Sequence, residues 1–264
     1  SSDVCSSDLA NGATFTHDDG TLTVRGGTLD LPYFDTVWVT VDGQTSTDLP
    51  TVILDDGATM TQALYSMSVG HTQRGRFEVR NGSAAILTNA TTEWNVGSFI
   101  GSSGETIVTG PGSRIETVLG LAIGFFGDGV FRILDGGLVE DSNSPYEPIA
   151  VESGSTGLLE VSGHNVMPST HRTRGELRIG QAGVGTMIVS DGGFVDVVGD
   201  GAYIAGHSNA AGSSATIDGT NSRFEVDGDL HVGGTSFGAG GAGTLTVRNG
   251  GAVEVGGTLH AWAP

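Results

Sequence analysis

A self-similar unit of about 28 residues runs through the chain and constrains its fold more than any single motif. A small or turn-forming residue recurs at Gly27, Gly57, Ser83, Ser113, Gly137, Asn165, Gly193, Ser222 and Gly251. Each unit holds three short alternating segments separated by Gly-rich punctuation, most cleanly Leu177–Ile179, Thr186–Val189 and Phe194–Val197. Alternation over so few residues predicts half-buried strands, three to a coil. The pairs Asp56-Gly57, Asn81-Gly82, Asp135-Gly136, Asp191-Gly192 and Asn249-Gly250 tolerate positive φ and so place tight corners between strands.

An isolated Asn-Gly favours an antiparallel hairpin. Here equivalent segments return one unit later, so each strand is expected to pair with its counterpart in the next unit. Parallel crossovers are almost always right-handed. The predicted fold is therefore all-β: a right-handed parallel β-helix of about nine three-stranded coils, a rod on the order of 43 Å long at ~4.8 Å per coil. Two places after each anchor stand Leu29, Thr59, Ala85, Ile115, Val139, Met167, Val195, Phe224 and Val253, the expected core column. Two further on, Leu31, Leu87, Val197, Val226 and Val255 point the same way, with polar Thr61, Thr117, Asp141 and Ser169 in the less regular coils. Leucine-rich repeats and propeller blades lack matching patterns. Helical solenoids are excluded by 45 glycines in 264 residues, since each interior glycine costs a helix about 1 kcal/mol.

A nearest-neighbour stack needs no internal boundary, so residues 10–264 are expected to form one domain. Residues 1–9 read as a non-native or disordered tail that resembles translated sequencing-adapter sequence, and Asp42–Pro50 as a loop bulging from an early coil. Cys5 is the single cysteine, which excludes an intramolecular disulfide and a cysteine-built zinc site. Eleven basic residues, all arginine, stand against 30 acidic ones for a net charge of −19. That balance repels phosphate backbones and argues against nucleic acid as a partner. No apolar run reaches the length of a membrane-spanning helix, and no signal peptide is visible.

The outward column carries an acidic ladder, Asp30, Glu116, Glu140, Asp196, Glu225 and Glu254. Stacked like charges repel, so something must offset them. Clustered carboxylates suit hard cations, and Asp196, Glu225 and Glu254 on consecutive coils form a candidate weak Ca2+ site; no other cofactor is expected. A second column, Arg178, Tyr203, His231 and His260 on successive first strands, offers a strip for glycan contact or a two-histidine metal contact that still lacks the further ligands zinc needs. The bland reading of both columns is solvated strand surface. Gly234-Thr235-Ser236-Phe237-Gly238 matches a nucleophile-elbow spacing, but lies in a Gly-rich connection without the strand-to-helix context. Leu245 stands where a calcium-binding nonapeptide needs aspartate. Asp18-Asp19 and Asp55-Asp56 read as turns.

With units aligned, residues 241–255, Gly-x-Gly-Thr-Leu-Thr-Val-x-Asn-Gly-Gly-x-Val-x-Val, and the Gly-Thr-Asn-Ser-Arg-Phe-Glu-Val type at 219–226 resemble the repeats of type V secretion (autotransporter) passengers and PEP-CTERM-sorted surface proteins. The resemblance covers roughly residues 65–261. It implies an extracellular stalk or adhesin at the surface of a Gram-negative bacterium, with a surface glycan or a host or neighbour-cell protein as partner. No translocator barrel or sorting tail follows Pro264, so the chain is expected to be a passenger fragment, held to a membrane only through a missing translocator or anchor. The leading expectation is thus a non-enzymatic adhesin or surface scaffold. The alternative is a polysaccharide lyase or glycosidase on the same fold, for which fold analogy is a weak warrant.

Overall fold

A computed structural model describes residues 16–31, 38–62, 66–164 and 167–263. The tail at 1–9, Cys5 and the Asn165 anchor lie outside these residues. Each repeat contributes one strand to each of three parallel sheets of ten, nine and nine strands, stacked as a β-solenoid. One coil shows the plan: Glu176–Ile179 in the first sheet, Val184–Ser190 in the second and Phe194–Val197 in the third. Each pairs in parallel with its counterpart a unit later, Leu177 opposite Ala202, Met187 opposite Ala215 and Val195 opposite Phe224. The vertical files expected from the repeat are present.

Local chemistry sets the corners. Between the second and third sheets, Asp or Asn followed by Gly takes two successive left-handed conformations, as at Asp191 (φ 53°) and Gly192 (φ 84°). The residue after that pair enters the third sheet. Where serine fills that position, after Asn81-Gly82 or after another turn, its hydroxyl accepts a backbone N–H from the preceding coil: Ser83 Oγ from Ala58, Ser113 Oγ from Gly82 and Ser222 Oγ from Gly192, each at 3.1 Å.

This rule corrects the core column in two coils. After Asp56-Gly57 the entering residue is Ala58, so Met60 rather than Thr59 joins the file with Leu29 and Ala85. The one-residue slip reverses the faces: Gln62 turns inward, and Thr61 turns outward to donate to Asp30. In the sixth coil the anchor is Ser169, whose Oγ accepts the Gly136 N–H, so His171 replaces Met167 in the file and Thr173 replaces Ser169. Met167 is exposed in an insertion before the strand, bridged to His164.

The interior is one continuous apolar cluster filled by Phe77, Trp94, Phe131 and Phe224, all fully buried. Trp94 needs a hydrogen-bond acceptor there and finds it in Thr106, whose hydroxyl accepts the indole N–H at 3.0 Å. Asp42–Pro50 is the long connection from Trp38–Val41 to Thr51–Asp55, and the Asp42 carboxylate at its start accepts N–H bonds from Thr72 and Gln73 of the next corner.

Candidate functional site

The acidic ladder is real and in register: Glu116 lies opposite Glu140, Asp196 opposite Glu225, and Glu225 opposite Glu254. Its repulsion is offset by arginine. Arg172, which stands between Glu140 and Asp196 in the same file, donates from Nε to Asp196 at 2.8 Å. Arg223 is paired with both Glu225 and Glu254. The second sheet repeats the device: Arg76 pairs with Glu78 and Glu105, and Arg132 with Glu105 and Glu160. Nine of the chain's eleven arginines hold carboxylates on the same or a neighbouring coil, so the counter-charge that a cation at Asp196, Glu225 and Glu254 was expected to supply is already in place.

The second column is also in register, Arg178 opposite Tyr203, Tyr203 opposite His231 and His231 opposite His260. It is not an open strip. The segment that follows Gly201–Ile204 folds back over that face, with the Gly206 corner packed against the Tyr203 ring so closely that a Cβ would approach it to 2.3 Å. Tyr203 is therefore 4% exposed, and burial pushes its phenol pKa up to about 12. The Arg178 guanidinium lies 4.2 Å from the Tyr146 ring centroid and bonds Glu176 and Gln181. His231 is buried, and its imidazole stacks on that of His260 at 4.6 Å and 7°. Asp229, which the sequence reading passed over, joins them: one donor atom from each of Asp229, His231 and His260 lies within 4.8 Å of the others. Its signal was the spacing Asp-x-His, which places both side chains on one face of a strand.

Three further features escaped the sequence. Phe99, Phe125 and Phe126, on corner segments, line a cleft of about 220 Å³ with Glu93, Asn95 and Ser98. Phe99 and Phe126 remain substantially exposed, and burial raises the Glu93 pKa. A second cleft, of about 350 Å³, runs along Glu116, Glu140, Asp141 and Arg174. Inside the coil, His171 Nε2 and Glu147 Oε2 are 2.8 Å apart, both almost fully buried.

The elbow-like Ser236 sits at the tip of a small antiparallel pair, Gly234–Thr235 with Gly238–Ala239, next to a fully exposed Phe237, which is no strand-to-helix turn. Among the described residues no helix is long and apolar enough to cross a membrane. Comparison of the chain with protein-family models, curated proteins and solved structures found no match.

Proposed function

We propose that this chain is a non-enzymatic extracellular scaffold, a stalk or adhesin segment whose stacked coils hold binding groups at fixed spacing. The observation that carries the reading is the arginine–carboxylate ladder. Acid–base chemistry on a sugar needs two carboxylates facing a substrate across a groove, whereas here Glu225, Glu254, Glu105 and Glu160 are tied along the sheet by Arg223 and Arg132. Such ladders keep a long repetitive surface charged and its sheets in register. The repeat resemblance to autotransporter passengers and PEP-CTERM surface proteins supports the same reading, with a membrane reached only through a translocator or anchor.

The partner best suited to the surface is a glycan. Phe99 and Phe126 supply exposed aromatic surface suited to the C–H side of a pyranose, while Glu93, Asn95 and Ser98 beside them offer polar groups for its hydroxyls. This site replaces the strip at Arg178, Tyr203, His231 and His260, half of which is buried. A second reading, a glycosidase, is favoured by one observation, the larger cleft with Glu116 and Glu140 on adjacent strands. A glycan array run beside reducing-sugar release from pectin, alginate and xylan separates the two. Binding without turnover, lost in Phe99→Ala/Phe126→Ala, supports the scaffold. Turnover that disappears in Glu140→Gln refutes it.

A further inference from the structure

We propose that Asp229, His231 and His260 form a binding site for one first-row divalent transition ion of the Zn2+ type, which clasps the C-terminal strand Leu259–Ala261 to the coil before it. Two imidazoles and one carboxylate are the donor set of a three-ligand zinc centre, with the fourth position left to water. Hard ions such as Ca2+ and Mg2+ prefer all-oxygen shells and are disfavoured by it. Register does most of the assembly: His231 and His260 are direct neighbours on parallel strands, and Asp229 lies two residues before His231 on the same strand face.

An independent observation points to a ligand. His231 is 7% exposed, yet its Nδ1 is buried without any hydrogen-bond partner. A buried polar atom left unmet is costly, and a ring nitrogen with a free lone pair is what a metal satisfies. Asp229 is oriented from outside: its Oδ1 accepts the Thr258 N–H at 2.7 Å, the kind of outer support that metal ligands receive. Trp262 stacks against both imidazoles at 6.5 and 6.4 Å, an apolar wall that limits water.

The distances are compatible with a small closure. Bonds of 2.0–2.1 Å to a tetrahedral ion bring two donors to about 3.4 Å from each other. The three donors here lie within 4.8 Å of one another, and the two stacked imidazoles, 7° from parallel, must tilt for their in-plane lone pairs to converge on one ion.

Isothermal titration of the full chain with Zn2+, beside Ca2+ and Mg2+ controls, tests the proposal together with histidine chemical shifts and amide exchange. The expected result is one equivalent of Zn2+, shifts at His231 and His260, and slower exchange across Leu259–Ala261. His260→Asn, at a half-buried position, and Asp229→Asn should each weaken binding by more than the about 10–100-fold that losing an outer-shell partner costs. Absence of saturable Zn2+ binding overturns the proposal. So does affinity that survives both substitutions, which would place the ion on exposed histidines such as His164 or His207.

Discussion

Replacing His171 by valine tests whether a charged pair inside the solenoid holds the sixth coil together. His171 occupies a core file between Val139 and Val195, and its Nε2 meets Glu147 Oε2, which comes from the first sheet across the interior. Glu147 Oε1 also accepts the Leu121 N–H at 3.1 Å. Removing one partner of a buried pair costs about 3–5 kcal/mol because the other charge is left without compensation. Valine restores apolar packing worth at most about 1.5 kcal/mol. The net loss is then about 1.5–3.5 kcal/mol. Glu147→Met should cost a comparable amount: a stranded imidazole sheds its proton more easily than a stranded carboxylate takes one up, but the Leu121 N–H also loses its acceptor, at about 1–3 kcal/mol. In the double variant the apolar replacement is neutral to about 4 kcal/mol favourable, against about 1–3 kcal/mol for the unmet Leu121 N–H. It should fall within about 3 kcal/mol of wild type.

Urea unfolding at pH 7, followed by circular dichroism and tryptophan fluorescence, measures all four proteins, with equal m-values as the check that only stability has changed. A His171→Val cost below about 0.5 kcal/mol, or single costs that simply add in the double variant, would refute the pairing. The pH profile gives a second reading. Burial drives the His171 pKa down, but the charge and hydrogen bond of Glu147, with Asp141 nearby, outweigh it and the net direction is up. Burial also raises the Glu147 pKa, the histidine only partly opposing it. Both groups therefore bind protons more tightly folded than unfolded. Their contribution is fully present below the unfolded carboxyl value of 4.5 and is lost as pH rises through both raised values, the histidine's lying above 6.5. Wild type should lose stability relative to the double variant over that window.

The corner after most first-sheet strands takes positive φ, and at Gly124 (φ 72°) a Cβ would approach the Thr156 carbonyl oxygen to 2.0 Å. Gly124→Ala should lower stability by more than about 2 kcal/mol in thermal melts, since left-handed strain of about 1–2 kcal/mol adds to the clash. Ala150→Gly at the equivalent corner (φ 59°) should be neutral within about 1 kcal/mol, because relief of strain is offset by the lost buried methyl and a freer unfolded chain. Millimolar Ca2+ should leave the wild-type melting temperature unchanged, while Arg223→Ala, which frees Glu225 and Glu254, should acquire a calcium-dependent rise. A wild-type rise would return the ladder to a cation-binding role.

The three-sheet plan was readable because Asp-Gly and Asn-Gly pairs encode positive φ directly and because equivalent residues recur a coil apart. Where anchoring went wrong, the cause was local. Gly57 looked like the anchor, but it is the second member of the left-handed pair, and Ala58 begins the strand. The insertion around His164–Met167 hid Ser169 and so hid His171 from the core file. Glu147 and His171 lie 24 residues apart on different sheets, a contact that no file along one sheet reveals. The aromatic cleft was missed for a related reason: Phe99, Phe125 and Phe126 sit in corner segments, where the period carries no information about direction. Each of these groups breaks the repeat that surrounds it. A stacked coil is stabilised by what every unit shares, so shared positions report packing and charge balance. Residues free to take up binding chemistry are those where one unit departs from its neighbours: Asp229 before His231, phenylalanine in a corner, histidine in an apolar file. In a solenoid of this kind, the search for function is a search for broken periodicity in register with intact strands.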